Sequence, residues 1–128
     1  MSTDPTYTVD EARSLVPQIR ATLLQLALER RRADDSHAAL HRRLRSEVED
    51  ADGQEQLESS TADLRAGVRA LLEHLESLGV MVRDLDAGLV DIPTLRDGER
   101  AWLCWRLSDP DLGWWHTTSE GFSSRQPL

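Results

Sequence analysis

Two stretches of this chain repeat the same alternation of four- and three-residue steps between apolar positions, and that repeat constrains the fold more than any other feature. The first passes through Ile19, Leu23, Leu26, Ala33, Leu40 and Leu44, with Arg30 and His37 filling the gaps and Val48 four residues further on, and the second through Leu57, Thr61, Leu64, Val68, Leu71, Leu75 and Leu78. Such spacing draws one apolar stripe along an α-helix, the seam of a coiled coil. Each stripe needs a partner, and Asp50-Ala51-Asp52-Gly53 between them reads as a turn cluster, so the two helices are expected to fold back as an antiparallel hairpin. With 1.5 Å of rise per residue, ~25–30 residues give an arm about 40 Å long. Thr8 and Glu11 form a capping box that starts a helix near Val9, and Gly79 stands where the second helix should stop. Pro17 disfavours helical geometry at Val16, which predicts a kink or restart there: a short helix and then a long one.

Beyond Gly79 the periodicity changes. Val80-Met81-Val82 and Leu89-Val90-Asp91-Ile92 are short β-prone runs separated by Asp84-Leu85-Asp86-Ala87-Gly88; Pro93 closes the second run, and Asp97-Gly98 marks a turn. Arg100 to Leu107 alternates as a strand, with Trp102, Cys104 and Arg106 on one face and Leu103 and Trp105 on the other. Ser108 to Gly113 then makes a hairpin loop into Trp114-Trp115-His116-Thr117. A register that pairs Arg106 with Trp114 sets Cys104 opposite His116, and a slip of one residue would separate them. The fold class is therefore α+β in a single domain over 1–128, with a helical hairpin arm over 1–79 and a small antiparallel, strand-rich tail over 80–128 that holds the final Gly121–Leu128 segment docked.

Composition narrows the function. The formal net charge of −8 argues against nucleic-acid binding, which draws on surplus basic residues. No run approaches the ~20 apolar residues of a membrane span, and the opening Met1-Ser2-Thr3-Asp4-Pro5 lacks a basic and an apolar leader region, so no membrane association and a cytoplasmic location are expected. The single cysteine, Cys104, cannot form an internal disulfide and fits a reducing compartment. All 15 basic residues are arginine, which reads as the coding bias of a GC-rich bacterial genome rather than as chemistry.

The tail segments Gly88-Leu89-Val90-Asp91-Ile92-Pro93, Leu103-Cys104-Trp105, Trp115-His116, Gly121-Phe122, Arg125 and Pro127-Leu128, together with Tyr7-Thr8, Pro17 and Leu78-Gly79, resemble a family of small bacterial proteins known only as a domain of unknown function. The resemblance spans nearly the whole chain. The family pattern carries Phe at the position of Ile92 and Gly at that of Ser124. The resemblance implies the architecture and directs attention to the tail, and it carries no catalytic residues with it.

The tail gathers the candidate site residues: Asp84, Asp86, Asp91, Cys104, His116, Glu120 and Arg125. Carboxylate oxygen and imidazole nitrogen suit a divalent metal, with Asp86, Asp91 and His116 as candidate ligands and the Cys104 thiolate tilting the choice toward zinc. The structural alternative has Asp84 and Asp86 serving the turn before Gly88, Asp91 pairing with Arg125, and His116 satisfying a buried hydrogen bond. Cys104 becomes a nucleophile only where its thiol pKa is lowered, and His116 is the one neighbour visible in the sequence that could do so. Trp102, Trp105, Trp114, Trp115 and Phe122 either line a pocket or docking face or fill the core of a chain with one Phe. On the arm, Arg30-Arg31-Arg32 and Arg42-Arg43-Arg45 form solvated basic patches matched by acidic residues from Glu47 to Glu58. Arg30 and His37 on the seam point to specified pairing, and a second hairpin would complete a four-helix bundle, so a homodimer is expected. His41 and His74 lack the Glu-x-x-His spacing of a bundle metal site. The leading functional expectation is a binding or regulatory module that self-associates through the hairpin and uses the tail as a pocket or docking face for a protein partner. The alternative is a small metal-dependent enzyme or metal-binding protein using the tail carboxylates and His116.

Overall fold

The computed structural model describes residues 4–47 and 49–128. Two long helices forming a hairpin, α1 (Val9–Leu44) and α2 (Ala51–Ser77), precede a five-stranded antiparallel sheet, so the protein is α+β. The strands are β1 (Met81–Asp84), β2 (Leu89–Arg96), β3 (Glu99–Arg106), β4 (Trp114–Thr117) and β5 (Gln126–Pro127), ordered as a meander in which each strand pairs with its sequence neighbours. The chain forms two compact units, one of Met1–Leu23 with His74–Leu128 and one of Leu24–Glu73.

In the Leu24–Glu73 unit, Leu26 and Ala33 of α1 and Thr61 of α2 are buried, as the seams require. The Ser36 and Thr61 hydroxyls meet at 2.5 Å, while the neighbouring seam position His37 is exposed and takes Arg65 Nη2 against its Nδ1 at 2.9 Å. A straight helix drifts about 20° per heptad relative to a strict seven-residue repeat, which rotates His37 to the edge and brings Ser36 inward. Leu44, expected on the seam, is 57% exposed, and Val48 lies outside the described residues. The Asp50–Gly53 cluster is a cap rather than a loop: Asp50 Oδ1 accepts from Gly53 N at 3.0 Å, and the cluster's other residues form the first turn of α2. The Asp50 pKa is lowered by the Gly53 N–H and by Arg43, whose guanidinium pairs with it.

The unit that carries the sheet begins with the expected capping box. Thr8 N donates to Glu11 Oε1 at 2.9 Å and Glu11 N to Thr8 Oγ1 at 3.1 Å. Contrary to the expected short helix and restart, α1 continues through Pro17. The proline removes one backbone bond at a cost of about 3 kcal/mol. Burial of Ile19 and Leu23 on the same helix, at ~1.5–3 kcal/mol each, offsets it. At the other end of the pair, Gly79 (φ 78°) closes α2: Val80 N donates to Leu75 O at 3.1 Å and Gly79 N to Glu76 O at 2.8 Å. Val90, Ile92, Leu103 and Trp105, all fully buried, form the core face of the sheet, and Arg20 of α1 stacks over the Trp105 ring at 5.0 Å.

Strand β2 runs past Pro93 to Arg96 rather than ending there. Within a strand, a residue's N–H and C=O point to the same side, and Pro93 O accepts from Tyr7 N at 2.9 Å. The missing proline N–H therefore faces the Tyr7 segment, beyond the last β1 pairing at Met81↔Asp91, and no ladder bond is lost. Tyr7 also donates its hydroxyl to Leu78 O at 2.7 Å and its carbonyl accepts from Thr94 Oγ1 at 2.6 Å, strapping the N-terminal segment to β2 and to the turn that follows α2. No helix among the described residues is long and apolar enough to cross a membrane.

Candidate metal centre

The register of the central strands builds the site. On β2 and β3, Asp91 pairs with Cys104; on β3 and β4, Cys104 pairs with Trp114 and Trp102 with His116. The expected pairing of Arg106 with Trp114 is thus displaced by two residues. An even displacement preserves the face, so Cys104 and His116 lie on one side as diagonal neighbours, with Asp91 beside them. One ligand atom from each of Asp91, Cys104 and His116 lies within 4.8 Å of the other two, and all three residues are buried.

Hydrogen bonds fix the protons here. His116 Nδ1 lies 2.8 Å from Thr117 O, and Nε2 lies 2.9 Å from Asp91 Oδ1. A carbonyl can only accept, so Nδ1 carries a proton. The Nε2–Oδ1 contact must then hold a second proton, shared between an imidazole and a carboxylate that are 2% and 3% exposed. The remaining Asp91 oxygen, Oδ2, accepts from Arg83 Nε at 2.8 Å, and the Arg83 guanidinium rests over the Trp102 ring at 5.2 Å. The Cys104 thiol is pushed up to about 11 by burial and by the Asp91 charge, against the smaller opposing effect of Arg125, so it is a neutral thiol near pH 7. Burial and the raised pKa disfavour a thiolate nucleophile here, and the His116 ring nitrogens are turned to Thr117 and Asp91 rather than to the thiol.

The other sequence candidates lie elsewhere. Asp84 Oδ1 accepts from the backbone N of Asp86 (3.0 Å) and Ala87 (3.1 Å), the turn role expected of it, and Asp86 sits exposed in that turn. The turn needs Gly88 (φ 63°), where a Cβ would fall 2.5 Å from Leu107 side-chain carbons. Arg125 pairs with Asp109 at 2.9 Å and not with Asp91, because β5 carries it to the β4 edge while Arg83 on β1 reaches Asp91. Burial alone would raise the Asp109 pKa, but the Arg125 hydrogen bond, the Arg106 N–H and both guanidinium charges leave it lowered. Glu120 is exposed and accepts from Thr117 Oγ1 at 3.0 Å. The aromatic set divides between the two faces of the sheet. Trp105 belongs to the core; Trp115 shares its face by register and carries Arg96 at 4.2 Å. Trp102 and Trp114 stand on the Cys104 face, and Arg125 packs between Trp114 (4.6 Å) and Phe122 (4.4 Å). The Gly121–Leu128 segment is docked, with Leu128 N donating to Gly113 O at 2.9 Å.

Sequence reasoning missed Arg83 and Asp109. Arg83 is visible only once the β1–β2 hairpin is closed across Gly88, and Asp109 only as the acidic residue before Pro110 that accepts from Arg106 N at 3.2 Å.

Residues 5–128 match the family described as "Uncharacterized conserved protein (DUF2203)". The chain belongs to the DUF2203 family. No curated protein and no solved structure matches it.

Proposed function

We propose that this DUF2203 member is a metal-binding protein that holds a zinc-like divalent ion on Asp91 Oδ1, Cys104 Sγ and His116 Nε2. The observation that carries the reading is the mutual approach of these three buried residues, one ligand atom of each lying within 4.8 Å of the other two. Tetrahedral zinc with sulfur at ~2.3 Å and nitrogen or oxygen at ~2.0–2.1 Å needs donor separations of ~3.4–3.6 Å. The Nε2–Oδ1 contact of 2.9 Å has to widen by only a few tenths of an ångström. The surroundings support the same reading. Metal-bound histidines commonly donate their other N–H to a backbone carbonyl, as Nδ1 does to Thr117, and a ligating carboxylate is commonly held by a hydrogen bond, as Arg83 holds Oδ2. The metal would take the place of the proton between His116 and Asp91 and of the thiol proton. The proposed ligand set keeps Asp91 and His116 from the sequence reading and replaces exposed Asp86 with Cys104.

Cobalt(II) tests it. The purified chain should develop a thiolate-to-cobalt charge-transfer band and tetrahedral d–d bands that saturate at one equivalent, both weakened or absent in Cys104→Ser. Stoichiometric cobalt binding with no thiolate band would exclude this ligand set.

A second reading concerns the arm. Leu24 (56% exposed) and Leu28 (48%) lie one turn apart on α1, outside the seam. This pair supports self-association of the hairpin with a second copy.

A further inference from the structure

Beside the buried triad, a cavity of about 340 Å³ is lined by Arg83, Leu89, Asp91, Glu120, Phe122 and neighbouring small polar residues of the β4–β5 connection. We infer that this cavity binds a small oxyanion, a phosphate or carboxylate carried on an apolar body, through the Nη groups of Arg83.

Arg83 is held for that purpose. Its Nε is engaged by Asp91 Oδ2 at 2.8 Å and its guanidinium lies against Trp102 at 5.2 Å, which fixes the plane of the group. The side chain nonetheless stays 41% exposed, and among the described residues no hydrogen bond occupies its two Nη groups. Those two groups are the half of the fork that grips phosphate or carboxylate oxygens in pairs.

The lining carries one arginine, Arg83, and two carboxylates, Asp91 and Glu120. Both of these carboxylates are already engaged by donors, Asp91 Oδ2 by Arg83 Nε at 2.8 Å and Glu120 by Thr117 Oγ1, which leaves the Arg83 Nη groups to a ligand. Arg83 is not one of the three proposed ligands, so the inference does not depend on the metal. Glu120 opposes it: its carboxylate lines the same cavity, tied to Thr117 Oγ1 at 3.0 Å. Leu89 and the 37%-exposed Phe122 provide the apolar wall for the body of the ligand.

Titration calorimetry with phenyl phosphate, benzoate and inorganic phosphate tests the inference on both chelator-treated and zinc-loaded full-length protein. One organic anion per chain is expected in both forms, bound more tightly than inorganic phosphate. Arg83→Gln should weaken it about tenfold or more, the loss of a charge-assisted pair of bonds. Glu120→Gln should tighten it about threefold by removing a partly screened repulsion. Phe122→Ala should weaken phenyl phosphate and leave inorganic phosphate unchanged. If Arg83→Gln does not fold, as circular dichroism will show, the Glu120 and Phe122 variants decide, and no change in either overturns the inference. Failure of wild-type protein to bind either organic anion, or undiminished binding by folded Arg83→Gln, overturns it as well. Binding only in the zinc-loaded form would overturn this inference while leaving the metal reading in place.

Discussion

Metal binding at Asp91, Cys104 and His116 should release about two protons per ion, and the count follows from the geometry. Nδ1 of His116 keeps its proton, because Thr117 O can only accept it. The Nε2–Oδ1 contact of 2.9 Å holds a second proton, which a metal bound to both atoms must displace. The Cys104 thiol, with its pKa pushed up to about 11, is protonated at pH 7, so forming the metal thiolate releases another. Apparent affinity should therefore rise about a hundredfold per pH unit wherever both protons are in place in the free protein. The assay is zinc titration calorimetry at pH 7 in several buffers: the slope of observed enthalpy against buffer ionisation enthalpy gives the protons released. Wild-type protein should give about two and Cys104→Ser about one. Zero release, or a count that Cys104→Ser leaves unchanged, would refute the proton assignment and with it the ligand set.

Four further outcomes are expected. In the metal-free folded protein, iodoacetamide should modify Cys104 slowly at pH 8 and about tenfold faster per pH unit toward pH 11, since only the thiolate reacts; a rate at pH 8 matching that in denaturant would contradict its burial. Arg125→Gln should destabilise by about 1.5–3 kcal/mol in urea, because Asp109 would lose its charge-assisted partner while 9% exposed. Asp109 has a folded pKa below its unfolded one, so its contribution is present above the ordinary carboxylate range of about 4 and is lost as pH falls through the lower folded value; Arg125→Gln should flatten that acid limb. Tyr7→Phe should cost about 0.5–1.5 kcal/mol in the same assay by removing the hydroxyl from Leu78 O, and no loss would show the strap to be idle. Sedimentation should find a dimer that Leu24→Glu with Leu28→Glu converts to monomer; a wild-type monomer at high concentration would end the self-association proposal.

The parts of the fold that were legible in the sequence are those where a local pattern has one physical solution. Thr8 and Glu11 can bond each other's backbone in only one way, Gly79 takes the positive φ that ends α2, and the two seams bury Leu26, Ala33 and Leu75. Two of the misreadings depended on partners distant in sequence. Pro17 and Pro93 look like breaks until Ile19 is packed and Tyr7 is found on the open side of β2. The Asp50–Gly53 cluster has turn chemistry, but the same aspartate caps a helix.

At the site, strand alternation was enough to put Cys104 and His116 on one face, and this survived a register displaced by two residues. Alternation could not say which cation meets Asp91. That depends on which strand lies beside β2, and β1 brought Arg83 there while β5 carried Arg125 to Asp109. Alternation did separate Trp102 from Trp105, and the registers add that Trp114 stands with the first and Trp115 with the second.

The central claim is the identity of the three ligands, and X-ray absorption on the zinc-loaded chain reads it most directly. The account predicts one sulfur at ~2.3 Å and two or three nitrogen or oxygen neighbours at ~2.0–2.1 Å, with the sulfur shell absent in Cys104→Ser. A shell of nitrogen and oxygen alone in the wild-type protein, or failure to retain one equivalent of zinc, would contradict it.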